Sequence, residues 1–293
     1  MTGLFRQGEI PLRQDIPKRI IQTAKHARLP LHQRAVVANL KLLNPDFEYL
    51  FFDNDGVERF IDQQFPQYRA IFDGFPFRIQ RYDFFRYLAV YRYGGFYFDL
   101  DVLLASGLSD LLDAGCVFPF EGLTFSEFLR RTHDMDWQIG NYAFGCAAGH
   151  PFLKAVIDNC VTAQTNRQWV APMMRGMPRL SRAEFHILNT TGPGLLTRTL
   201  AENPALAASV TVLFPDDVCD TRNWNRFGDI GIHMMDGSWR LHDNYVIRRL
   251  AQLWEAWKMG RLLKESVQLG KSRDASAKVK PGVRSYVGLE VTP

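Results

Sequence analysis

Two pairs of charged residues stand close enough along the chain to act together. Asp99 and Asp101 alternate within FYFDLD, and Asp83 and Arg86 lie three apart in RYDFFRYL. In an extended segment Phe96, Phe98 and Leu100 fall on one face and Tyr97, Asp99 and Asp101 on the other, so a strand is predicted to end in two carboxylates pointing the same way. Like charges that close disfavour each other's ionisation. A divalent cation removes the conflict, since Mg2+ and Mn2+ take carboxylate oxygens and commonly bind one or two carboxylates together with a substrate's phosphates. Asp83 and Arg86, at helical spacing, share a face. A helix turning back into the strand would deliver all four charges to one cleft.

The elements that must position them are legible in the same stretch. Phe84, Leu88 and Tyr91 give the helix a separate flank to bury, and Gly94-Gly95 stops it, because glycine tolerates the left-handed backbone that closes a helix and lets the chain reverse into a strand. An isolated Asp-x-Asp is usually a solvated loop, and an isolated Asp83–Arg86 pair would be a surface ion pair worth a few tenths of a kcal/mol. Here the acids end an apolar strand after a glycine break, which favours a site.

The string D-x-x-R, an aliphatic stretch, then G-G-x-Y-x-D-x-D is made by Asp83, Arg86, Gly94, Gly95, Tyr97, Asp99 and Asp101. It resembles the glycosyltransferases with a DxD sugar-binding motif, a group that includes the yeast Golgi initiating mannosyltransferase, bacterial capsule and lipopolysaccharide enzymes and, distantly, the clostridial glucosylating toxins. Further segments are similar. Ile16-Pro17-Lys18 leads through Ile21, where relatives carry His, to Gln22; Ala24 or Lys25 stands where many relatives stack a Trp on the nucleotide base. QIGNYAFGCAAGHP, 138–151, supplies Asn141, which in the family faces the donor sugar or acceptor, and GIHMMDGSW, 231–239, supplies His233, Asp236, Ser238 and Trp239.

The resemblance implies an α/β, GT-A-like nucleotide-sugar transferase fold, a mixed central sheet flanked by helices. It implies Mn2+ or Mg2+ on Asp99 and Asp101, with His233, Asp236 or water as the third ligand, His233 being preferred. Asp83, Arg86 and Asn141 are the expected catalytic residues, and Gln22, Asp83, Arg86, Tyr97, Asp99, Ser238 and Trp239 the expected contacts to a UDP- or GDP-sugar. The expected reaction is retaining transfer of a hexose to a glycan or glycolipid in bacterial surface polysaccharide synthesis. Three alternatives are an effector-type transferase acting on a protein, a haloacid-dehalogenase-like phosphatase, whose D-x-D also ends an apolar strand, with Asp216-Asp217 as its later acidic pair, and a non-catalytic sugar-binding module.

A chain of 293 residues, 46% hydrophobic and 23% charged, can bury a substantial core and suits a decorated enzyme domain over 16–263, with a lead-in at 1–15 and a flexible basic tail at 264–293. The net charge of +4 is matched by 261–293, which carries seven Lys and Arg against three Asp and Glu. A body built for nucleic acid is not indicated; the tail suits an anionic membrane surface, and the amphipathic segment 244–264 is expected to dock on the body or, alternatively, to lie at a membrane interface. Cys116, Cys146, Cys160 and Cys219 show no metal spacing and are expected to be reduced core residues. No run approaches the roughly 20 apolar residues of a membrane span, nor does the start read as a signal peptide, so a bacterial cytoplasmic enzyme, peripheral at the inner membrane face, is expected.

Elsewhere the pattern predicts a first strand at 19–23, a helix over 31–43, a second strand at 47–52 and a turn at 53–56, the strand–helix–strand unit making a parallel crossover. Asp53-Asn54-Asp55-Gly56 lacks the closing acid of a calcium loop, Gln64 standing there. A strand is expected at 116–120, and Glu121, Glu127, Arg130, Arg131, His133, Asp134 and Asp136 read as a polar surface or, alternatively, an acceptor-side insertion. His150 is predicted to enter a helix over 152–163, 164–185 to be a mobile flap or poorly packed surface, and Thr190-Thr191-Gly192-Pro193-Gly194 to start a helix with threonine as its cap.

Overall fold

The computed structural model describes residues 15–215, 218, 220–234, 245–270 and 284–285. Through the first half of the chain the order is β1 (Arg19–Thr23), α1 (Leu31–Leu43), β2 (Glu48–Phe52), α2 (Asn54–Gln64), α3 (Arg69–Gly74), α4 (Arg78–Tyr93), β3 (Gly95–Phe98), β4 (Val102–Leu104), β5 (Cys116–Leu123), α5 (Glu127–Thr132), β6 (Trp137–Ile139) and β7 (Ala143–Cys146). It continues through α6 (Pro151–Thr165), α7 (Arg167–Val170), α8 (Arg182–Thr190), α9 (Pro193–Glu202), α10 (Pro204–Ala207), β8 (Thr211–Leu213), β9 (Arg226–Phe227), β10 (Gly231–His233), α11 (Tyr245–Gly270) and β11 (Arg284–Ser285).

The main sheet runs β11-β8-β5-β7-β3-β1-β2, with β6 attached to β5. β1 pairs in parallel with β2 and β3, as the crossover pattern requires, while β7 lies antiparallel between β3 and β5. The sheet is therefore mixed and carries helices, the α/β arrangement expected. Its alternation is the one the sequence predicts. Tyr97 and Ile21 pack with α4 in the larger core cluster, while Phe96, Phe98 and Ile20 face a smaller one with Val36 and Leu40 of α1. Full burial of Phe84, Phe85 and Leu88 in α4 stabilises that helix on the sheet by about 2 kcal/mol each.

A second, antiparallel sheet, β4-β10-β9, sits where the chain leaves β3. The strand thus ends at Phe98, before both acids, because β4 belongs to the other sheet and residues 99–101 must turn to reach it.

Several expectations are corrected. Cys116 and Cys146 face each other across β5 and β7 and form a disulfide, so they are not reduced; Cys160 is free and buried, and Cys219 lies outside the described residues. Asp53 starts a helix rather than a turn, its carboxylate accepting the Gly56 N–H at 2.9 Å. The stretch 164–185 is neither flap nor loose surface: Met173, Met174 and Met177 are buried in the large core, and Trp169 stacks on the Arg198 guanidinium at 3.5 Å. α11 runs to Gly270, and Arg284–Ser285 pairs with β8.

Candidate functional site

α4 and β3 meet at Gly94 and Gly95, whose φ angles of 66° and 111° lie in the region that side chains avoid. The reversal brings the Arg86 guanidinium over the Tyr97 ring, 4.7 Å from its centre. From there Arg86 reaches Asp83 at 3.1 Å, Asp99 at 3.2 Å and the Asn141 carbonyl at 2.9 Å. Asp83 and Arg86 are both 4% exposed. Burial opposes the Arg86 charge, but Asp99, Tyr97 and Asp83 outweigh it and hold the guanidinium above its ordinary pKa.

Asp83 is fully partnered. Besides Arg86 it accepts the Thr191 hydroxyl at 2.9 Å and the Asn141 amide at 3.1 Å, and Asn141 also donates to the Tyr87 hydroxyl at 3.1 Å. Burial nevertheless pushes its carboxyl up to about 6, with Arg86 and Thr191 pulling the other way, so it is largely anionic at neutral pH. Thr191 is thus not the expected helix cap. It closes α8, and its hydroxyl is taken by a buried carboxylate that lacks water; Gly192 precedes Pro193 at the start of α9.

Asp99 accepts the Tyr97 hydroxyl at 2.8 Å. The turn behind it is held by Gln22, fully buried, whose amide donates to the Phe98 and Asp99 carbonyls at 3.3 and 3.4 Å and accepts the Tyr49 hydroxyl at 2.9 Å. These bonds make Gln22 a support for the acid turn.

On the far side of that turn, β10 lies against β4 with His233 opposite Val102, and the Met234 N–H donates to the Asp101 carbonyl at 2.8 Å. The register delivers His233 Nε2 to within 3.2 Å of Asp101 Oδ2. One ligand atom each from Asp99, Asp101 and His233 lie within 4.8 Å of one another. Two hard carboxylates and an imidazole could together hold a divalent cation, the nitrogen ligand suiting Mn2+ better than the harder Mg2+. His233 stacks on Tyr142 at 4.3 Å, and its Nδ1 is enclosed without a hydrogen-bond partner among the described residues. Burial disfavours its charge, yet Asp101, Asp99 and Glu121 together raise its pKa.

The structure therefore assembles Asp83, Arg86, Asn141, Gln22, Tyr97, Asp99, Asp101 and His233 around one turn. Ser238, Trp239 and Asp236 lie outside the described residues, as do Asp216 and Asp217. Tyr87 and Tyr142 were not singled out from the sequence, and Thr191 was read first as a helix cap. Tyr142 had a signal, standing beside Asn141 in the similar segment; Glu121 fell in a stretch read as polar surface or as an acceptor-side insertion. It belongs to β5 rather than to a polar surface, and burial pushes its carboxyl up to about 7.

Residues 30–117 match the family model described as "Glycosyltransferase sugar-binding region containing DXD motif". That span holds Asp83, Arg86, Asp99 and Asp101 but not Gln22, Asn141 or His233. Inositol phosphoceramide mannosyltransferase 3 of Schizosaccharomyces pombe is 35% identical over 144 residues, 49% of this chain and 37% of that protein. Mannosyl phosphorylinositol ceramide synthase SUR1 of Saccharomyces cerevisiae is 28% identical over 187 residues, 64% of this chain and 42% of that one. The chain thus spans about two fifths of the length of these curated relatives. Among solved structures, the PaToxG glycosyltransferase aligns over 65% of this chain and 70% of its own, with a TM-score of 0.45 and 17% identity. The galactosyltransferase LgtC, in complex with donor and acceptor sugar analogs, aligns over 84% and 95%, with a TM-score of 0.38 and 14% identity.

Proposed function

We propose, from the match of residues 30–117 to a glycosyltransferase sugar-binding region containing a DXD motif, that the chain is a metal-dependent, retaining transferase moving a hexose from a UDP- or GDP-sugar to a hydroxyl of a glycan or glycolipid. The observation that carries this reading is the convergence of Asp99, Asp101 and His233, from the ends of two sheets, beside the buried Asp83–Arg86–Asn141 network. A divalent ion bound there supplies Lewis-acid stabilisation of the charge that grows on the leaving diphosphate.

The chain's own residues do the rest. Arg86 keeps a permanent positive charge behind Asp99, offsetting the charge of the acids and of the donor, and the Tyr97 hydroxyl fixes the Asp99 carboxylate before any ligand arrives. Asp83 and Asn141, locked by Thr191 and Tyr87, form a polar wall suited to sugar hydroxyls. The names of the similar fungal proteins favour a mannosyl donor and a lipid-linked polyol acceptor. A lipid acceptor agrees with α11, one flank of which docks through Trp254 on Phe125 and Phe185 while Leu250, Leu253 and Trp257 remain exposed beside Arg249 and Lys264. No described helix is long and apolar enough to cross a membrane; the contact we propose is made by this outer flank of α11. Surface-glycan assembly at a membrane's inner face is the process we assign.

The test is a panel of UDP- and GDP-sugars with MnCl2, read as slow hydrolysis by mass spectrometry. Release of one hexose is expected, lost with EDTA and restored by Mn2+, and Asp99→Asn or Asp101→Asn should lower it at least roughly 100-fold with an unchanged melting temperature. Turnover that survives both the chelator and the substitutions would remove the metal from the reading, and no hydrolysis of any donor would remove the transferase.

A further inference from the structure

Between β5 and β6 the register slips: Phe120 pairs with Ile139 and Gly122 with Gln138, leaving Glu121 as an extra residue in the strand. Such bulges re-aim a side chain out of the alternation of its strand and recur beside active sites. Here Phe120 keeps its place in the core against Phe214 and Trp224, and Glu121 is turned toward the site. Its Oε2 rests against Gly140, where a Cβ would come within 2.9 Å, and the same Cβ would meet the Tyr142 ring at 2.6 Å. Tyr142 in turn stacks on His233. The carboxylate thus stands behind Tyr142, within electrostatic reach of His233, Asp83 and Asp99.

Glu121 Oε2 is enclosed and has no hydrogen-bond partner among the described residues. An unpartnered buried carboxylate oxygen is costly and normally acquires a donor. Three classes of ligand can be weighed. An anionic group such as a phosphate would meet a further negative charge beside Asp83 and Asp99. A resident cation has its better place among Asp99, Asp101 and His233, whose clustered ligand atoms do not include Glu121. A neutral hydroxyl donates to the oxygen without adding charge.

We infer that Glu121 is a hydroxyl-binding residue of the sugar site, accepting a hydrogen bond from a neutral polyol. This rests on the transferase reading for its substrate class, and the hydroxyl is supplied by the acceptor or by the donor hexose. The unpartnered Glu121 oxygen costs stability in the free protein.

Saturation-transfer NMR of the full chain in MgCl2, with methyl α-mannopyranoside and myo-inositol as probes, reads the site without turnover; hydrolysis of GDP-mannose and UDP-glucose reads the donor side. For Glu121→Leu, loss of at least five-sixths of the polyol signal with an unchanged donor KM assigns an acceptor hydroxyl, and a donor KM raised about tenfold at similar kcat assigns a donor hydroxyl. Either supports the inference, with Glu121→Gln showing the smaller loss because it keeps one acceptor oxygen. Polyol contact and donor KM both unchanged between wild type and Glu121→Leu overturn it. So does a melting temperature that drops by more than a few degrees in both variants, the mark of a residue that merely holds β5. Absence of hydrolysis in the wild type would count against the transferase reading alone, since the polyol contact is measured independently.

Discussion

His150 shows how one side chain can be judged by its surroundings. It stands at the start of α6, its Nδ1 accepting the Phe152 N–H at 3.2 Å, and burial lowers its pKa from 6.5 to about 4. The neutral form is the one that caps, so its contribution is complete above pH 6.5. Between pH 6.5 and 4 the unfolded chain binds a proton that the folded one refuses, and up to about 3 kcal/mol is lost as pH falls, levelling off below the folded value. Urea unfolding of His150→Asn, which keeps a capping oxygen but cannot titrate, should show a flatter dependence across that window; parallel curves for the two proteins would refute the assignment. At this scale the spacing of Asp83, Arg86, Asp99 and Asp101 was enough to foresee that they meet. Spacing did not fix the roles of Thr191 and Glu121, because Thr191 becomes a partner only when α8 ends against Asp83, and Glu121 is aimed by a bulge that depends on how β6 pairs.

At the scale of elements, the junction of α4 and β3 carries the greatest burden. A Cβ on Gly95 would lie 2.6 Å from the Arg19 carbonyl oxygen of the neighbouring strand, at a φ of 111°. Gly95→Ala combines backbone strain with a clash that β1 cannot relieve without breaking its ladder, and is expected to cost about 2–4 kcal/mol in urea unfolding. A loss below about half a kcal/mol would mean the junction is looser than described. The sequence revealed this junction because a change of hydrophobic period and a double glycine are local signals. α1 was legible for the same reason, its bounds following from a helical repeat ended by Asn44-Pro45. The Cys116–Cys146 pairing, by contrast, joins strands whose adjacency comes from tertiary register, which no spacing between cysteines encodes.

Across the whole molecule, α11 presents two unlike flanks. Leu262 is buried and Lys258 donates to the Phe125 carbonyl at 3.2 Å, while Trp257 is 62% exposed and Leu253 53%. If this outer flank meets a bilayer, Trp257→Glu should weaken sedimentation with phosphatidylserine-containing vesicles at least roughly tenfold while leaving hydrolysis of soluble donor intact. Undiminished sedimentation, or none by the wild type, would leave α11 a docking helix only. The two sheets give the molecule a further property. Asp99 follows a strand of the large sheet, Asp101 precedes one of the small sheet, and His233 ends another of the small one. An ion gripping all three would clasp the seam between the sheets, so its affinity and the fit of that seam are thermodynamically linked: whatever loosens one must loosen the other.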